Sequence, residues 1–131
     1  AADLEIPFAM NVFAATRDFL QKNPQTADRV LRAYIEGVAA MNHDRETAQK
    51  VLAKYLKRAE PAFLDEMYKI AVQFTDRVPR VDTRTVATVL EFEPVKGADA
   101  ETLTTKAIDN SLVDRLAKTG FIEKTFSKSG R

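Results

Sequence analysis

The sequence predicts a mainly α-helical chain with one short strand and five or six helices. Three observations lead there. From Pro24 onward, apolar residues recur at three- and four-residue steps, which is the spacing of one helix face. Asn23-Pro24, Asp44, Pro61, Asp82 and Asp99 stand where such runs begin, and these are residue types that start helices. One short apolar run, residues 10–15 from Met10 to Ala15, lacks that period and reads as a strand.

The elements follow in chain order. Phe8 to Ala15 is apolar, short and preceded by Pro7. Thr16-Arg17-Asp18-Phe19-Leu20 then leads into a short helical turn. Asn23 is a good N-cap, and Pro24 at the first helical position loses no needed hydrogen bond. Over residues 24–42, Ala27, Val30, Leu31, Tyr34, Ile35, Val38 and Met41 form one expected inward face. Asp28 and Arg32 are spaced to pair across a turn. Gly37 costs helix stability, about 1 kcal/mol against Ala, so close packing is its expected reason. Asn42-His43-Asp44 reads as a turn, with Asp44 capping the next helix. That helix places Ala48, Val51, Leu52, Tyr55 and Leu56 inward, and Glu46 pairs with Lys50.

Pro61 opens a helix with Phe63, Leu64, Met67, Tyr68, Ile70, Ala71 and Phe74 expected in the core. Residues 77–81, around Pro79, are extended, because the residue before proline avoids helical geometry. Asp82 caps a helix to about Glu91, with Val86, Val89 and Leu90 inward. Residues 94–98 form a loop with a turn at Lys96-Gly97. Asp99 starts a short helix holding Leu103 and Ala107, and Asp109 or Asn110 caps the last, with Leu112, Val113, Leu116 and Ala117 inward. Gly120 stands where a helix C-terminus wants a left-handed residue, with Phe121 as the hydrophobic clasp.

The lone strand raises a hydrogen-bonding question. A single strand satisfies neither its backbone groups nor both its faces. Its sheet must come from another chain or from residues preceding Ala1.

Composition excludes several function classes. Lys plus Arg is 20 and Asp plus Glu is 19, for a net charge of +1. A nucleic-acid binder carries a stronger basic excess or cluster, so no nucleic-acid partner is expected. The chain has no cysteine and one histidine, His43. Disulfide frameworks, thiolate nucleophiles, histidine triads and multi-histidine metal sites therefore cannot be built within it. No catalytic residue, metal or cofactor is expected. No stretch has the roughly 18 uninterrupted apolar residues of a membrane span.

What polar chemistry there is reads as surface. The carboxylate pairs Asp65-Glu66, Glu91/Glu93 and Asp99/Glu101 fit solvated faces and helix caps. His43 sits among Asn42, Asp44 and Arg45 and reads as an exposed turn residue. Arg77, Arg80 and Arg84 flank Pro79. They offer an anion or partner site, against the alternative of local ion pairs. Phe8, Met10, Asn11 and Phe13 lie at the start of the strand, where a polar Asn among apolar neighbours faces either an edge or a cleft.

The order of these segments resembles a known family. Ile6-Pro7-Phe8, Asn11, the run from Ala15 to Leu20 and Asn23-Pro24 look like one stretch of the substrate-binding proteins of bacterial ABC importers. The class is that of nitrate, sulfonate and taurine uptake and its thiamine-precursor relatives. The run from Val30 to Gly37 resembles the helix that follows in that family, and Ala48 to Leu56 the next. Ile108 to Asp114 and Gly120-Phe121-Ile122 look like the family's C-terminal ending. The resemblance spans residues 4–126.

The resemblance implies that residues 1–131 are a C-terminal fragment of a two-lobed α/β periplasmic binding fold. Residues 1–15 would be the segment returning through the hinge, and residues 24–126 the helical part. It implies non-catalytic capture of a small ligand by lobe closure, a periplasmic or lipid-anchored extracellular location, and a membrane permease as partner. Phe8 and Asn11 would be hinge or cleft residues, with Thr16 and Arg17 supporting the strand end. Apolar surface left open by missing lobes would make the fragment self-associate. The competing expectation is a free-standing helical module that binds a protein partner, with two copies pairing their strands.

Overall fold

The computed structural model describes residues 12–97 and 99–128. Among them are eight helices and no strand. The mainly helical expectation holds, with more helices than the five or six the sequence suggests. The strand expected over residues 10–15 is not found in its described part. Residues 12–15 run as irregular backbone without a ladder partner, with Val12 56% and Phe13 57% exposed. An apolar run of that length also serves as a tether, and Phe13 does so by meeting the Tyr34 ring edge-on at 5.0 Å.

Helix α1 (Arg17–Lys22) is one short element whose N-cap is Thr16, with Oγ1 accepting from the Phe19 N–H at 3.1 Å. Asn23 closes it, since its backbone and side-chain N–H groups both donate to the Phe19 carbonyl. That use of the amide leaves α2 (Pro24–His43) without a side-chain cap, although Asn23 occupies the N-cap position and Pro24 opens the helix. The next helix, α3 (Arg45–Leu56), is capped as expected, with the Asp44 carboxylate accepting from Thr47 N–H at 2.9 Å. Its C-cap, Lys57, takes the left-handed conformation at φ 53°. Helix α4 (Pro61–Phe74) folds back on α3.

An extended segment, 75–82, bends at Pro79 where Arg80 N–H donates to the Val78 carbonyl at 2.7 Å. Asp82 then caps α5 (Thr83–Phe92) and Asp99 caps α6 (Ala100–Ala107), which lie against each other. Helix α7 (Ser111–Lys118) ends at Gly120, whose φ of 70° needs a glycine. The chain does not stop helical structure there. It turns directly into α8 (Phe121–Lys128), so Phe121 opens a helix while also packing on the core.

The core is small. Ile35, Leu116 and Ile122 are buried together, with Leu31, Tyr34, Phe121 and Phe126 packed around them. This joins α2, α7 and α8; α3 and α4 form an arm beyond α2, and α5 and α6 a second arm. Several residues expected inward are exposed: Val30, Val51, Tyr55, Leu56, Ile70 and Phe74. Their helices have the right period, but among the described residues no neighbouring element lies over that part of the face. Gly37 is also exposed, and nothing lies within 4 Å of where its Cβ would stand. Close packing is therefore not its reason.

Candidate functional site

Of the four expected ligand or hinge residues, Phe8 and Asn11 lie outside the described residues. Thr16 and Arg17 are adjacent, and both are engaged in holding the fold. The Thr16 hydroxyl caps α1. The Arg17 guanidinium donates to the Lys106 carbonyl at 2.5 Å, across 89 residues. Carbonyls in the last turn of a helix lack intrahelical partners and gather negative charge. Arg17 thus satisfies the α6 C-terminus and ties α1 to it. Asp109 is close by, and its carboxyl is held below the ordinary range by hydrogen bonds from Ser111, with the Arg17 charge adding to the effect.

The three arginines around Pro79 each have a local partner. Arg80 pairs with Asp114, Arg84 pairs with Asp82 at 2.7 Å, and Arg77 lies over the Phe126 ring at 5.3 Å. This is the ion-pair alternative; the three do not converge on one anion. The Arg84 contact, with backbone N–H donation from the same residue, holds the Asp82 carboxyl low.

Asp65, Glu66 and Asp99 behave the same way, whereas Glu91 and Glu93 are exposed without an ion-pair partner among the described residues. Asp65 accepts from Arg45 and from Gln49, and those bonds depress its pKa. Glu66 meets Lys69 at 3.6 Å. Asp99 is a cap whose carboxyl is held low by the Thr102 N–H. Asp28 lies between Arg32 at 2.6 Å and Arg115 at 3.5 Å, and its carboxyl is lowered, first by the Arg32 bond. His43 ends α2 and is exposed. Among the described residues no three His, Cys, Asp or Glu side chains gather as a metal site would require. No helix there is long and apolar enough to cross a membrane.

Two shallow grooves stand out among the described residues. One, of about 280 Å³, runs between α3 and α4 over Ala53, Ala59, Pro61 and Leu64. The other, of about 310 Å³, is lined by Pro24, Gln25, Asp28, Arg29 and Arg115. Neither holds an uncommitted buried polar group, which an enclosed small-molecule site would need for orientation.

The residue that sequence reading missed is Asn110. Its side-chain amide donates to the Val81 carbonyl at 2.9 Å and its Oδ1 accepts from the Val81 N–H at 3.0 Å. The amide thus pairs with an extended backbone as another strand would. It closes the base of the α5–α6 excursion, since Val81 precedes α5 and Asn110 follows α6. Locally Asn110 looks only like a helix cap, so the sequence carries no signal for this role.

What the described chain presents, then, is a scaffold with open apolar faces. No family model, curated protein or solved structure matches it.

Proposed function

We propose that the chain is the C-terminal portion of the substrate-binding protein of a bacterial ABC importer. Its ligand class is a small anion or heteroaromatic, nitrate-, sulfonate- or taurine-like or related to thiamine precursors. In this reading it captures ligand by lobe closure without catalysis, outside the cytoplasmic membrane, and delivers it to a membrane permease. The segment order from Ile6 to Ile122 supports the reading. The single structural observation that supports it is the mismatch between apolar pattern and packing. Ile70 and Phe74 belong to the apolar period of α4, yet they are 40% and 69% exposed. Helices with that pattern fit against further secondary structure, as the back of a lobe would supply.

The test has two steps. The coding frame containing these residues is read upstream of Ala1. It is expected to continue through the remaining lobes to a basic and apolar leader. The full polypeptide is then melted with nitrate, taurine or a thiamine-precursor pyrimidine. A ligand at 100 times its Kd stabilises by about 2.7 kcal/mol, so a rise in Tm of several degrees is expected for one of them. A start codon directly before Ala1 overturns the reading.

A second reading, a free-standing helical module that docks a protein partner, is favoured by one observation. Among the described residues no buried side-chain polar atom lacks a hydrogen bond, as in a finished fold.

A further inference from the structure

The two arms carry apolar patches of opposite charge. The C-terminal half of α3 exposes Val51 (48%), Tyr55 (75%) and Leu56 (43%). From Thr47 to Ala59 the chain holds Lys50, Lys54, Lys57 and Arg58 and no acid. Lys50 and Arg58 are matched by Glu46 and Glu60. Lys54 leans over the Tyr55 ring at 5.5 Å, and neither it nor Lys57 has an ion-pair partner among the described residues. At the far end of α5, Phe92 is 67% and Val95 52% exposed. Glu91 and Glu93 bracket Phe92 and Lys96 follows Val95, all three exposed and without an ion-pair partner among the described residues, which leaves the tip acidic by one charge. The α3–α4 and α5–α6 arms share no extensive contact within one chain.

We propose that these patches meet between molecules. The α5 tip of one copy, Phe92 and Val95 flanked by Glu91 and Glu93, docks on the α3 end of a second copy, Tyr55 and Leu56 flanked by Lys54 and Lys57. The apolar side chains supply the area and the charges supply register and partner choice, the division of labour found in protein interfaces. Lys54 and Lys57 would find in the second copy the carboxylates they lack in their own. The contact is between unlike surfaces, so it closes as a reciprocal pair or continues head to tail.

The test is a charge swap read by sedimentation velocity, using the full polypeptide that the coding frame specifies. The unaltered protein is expected to associate reversibly, with Kd rising about tenfold between 50 and 500 mM salt. The double variants Lys54→Glu/Lys57→Glu and Glu91→Lys/Glu93→Lys each present like charge at both patches and are expected to sediment as monomers. Mixed in equal amounts they are expected to associate again, because each now complements the other. Circular dichroism of each variant checks that its helices are intact, and the mixture's recovery requires folded protein in any case. A monomer at every concentration overturns the proposal. So does association that survives the charge reversals or strengthens with salt, which marks an apolar contact elsewhere.

Discussion

Gly37 lies inside α2 with open space where a Cβ would stand. A glycine in an exposed helix interior costs entropy with no compensating contact. Gly37→Ala is therefore expected to stabilise the chain by about 1 kcal/mol, seen as a higher urea midpoint with unchanged slope. Lys57 presents the reverse situation, an L-residue held at φ 53°. Lys57→Gly relieves that conformation and is expected to gain about 1 kcal/mol. Gly120, at φ 70°, should lose a similar amount on change to Ala. The acidic caps set the pH dependence. The carboxyls of Asp44 and Asp99 are held below the ordinary 3.8 first by backbone N–H bonds, that of Asp82 first by the Arg84 side chain and that of Asp109 first by the Ser111 side chain, with backbone N–H bonds adding in both. With the folded value depressed, the unfolded state binds more protons in that window, and stability rises with pH across it. Their contribution is complete above the unfolded value and is lost as pH falls through the folded ones. Urea midpoints should be level from about pH 5 upward and decline below about pH 4; a midpoint insensitive to acid would count against these bonds.

At the scale of elements, each arm is tied to the bundle by a few identifiable contacts. The α5–α6 excursion is closed by Asn110 on Val81, reinforced by Arg80 with Asp114 and by Arg17 on the α6 end. Asn110→Ala leaves the half-buried Val81 N–H and C=O unpaired, at a cost of about 1–3 kcal/mol. Amide exchange in residues 83–107 should speed up, while α2 and α7 keep their protection relative to global unfolding. Uniform loss across all helices would mean that Asn110 is part of the core instead of a clasp. These contacts also mark the limit of what sequence reveals. Asp44, Asp82 and Asp99 were legible as caps because donor and acceptor lie within three residues. The extents of α2 and α5 followed to within a residue at each end. Asn23 stands at the N-cap of α2 as read, but its side-chain amide bonds the end of α1 instead. The helix after Gly120 was hidden because the same glycine signature marks either a stop or a tight link. Arg17 and Asn110 bond across 89 and 29 residues, and no local pattern encodes such pairs. For the candidate site, Thr16 and Arg17 were singled out from their place beside the presumed strand, whereas in the structure they cap and brace helices.

For the molecule as a whole, the apolar pattern promises more burial than the fold delivers, and that has a thermodynamic consequence. Net stability is a small difference between large quantities. When Ile35 and Leu116 are the largest fully buried side chains among the described residues, single residues govern a large share of it. Leu116 sits on α7 in contact with the elements on both sides, α2 and α8. Leu116→Ala is expected to cost about 2–5 kcal/mol, enough to remove most folded protein from a domain of marginal stability. By contrast, Tyr55→Ala and Phe74→Ala, at 75% and 69% exposure, should leave the midpoint nearly unchanged. Hydrogen exchange should resolve the same hierarchy in the unaltered chain. Local openings are easiest where few apolar contacts must break, so α5–α6 and the outer turns of α3–α4 should exchange ahead of α2, α7 and α8. If further secondary structure covers the arms in a longer polypeptide, the order changes in a specific way. Ile70 and Phe74 become core residues, their alanine variants turn costly, and α4 gains protection to match α2. Comparing the Phe74→Ala cost in the 131-residue chain and in the full polypeptide therefore measures directly whether the exposed faces are surfaces or halves of a core. A cost of at least about 2 kcal/mol confined to the longer protein identifies a core. An equal, small effect in both means that these side chains face solvent or an external partner.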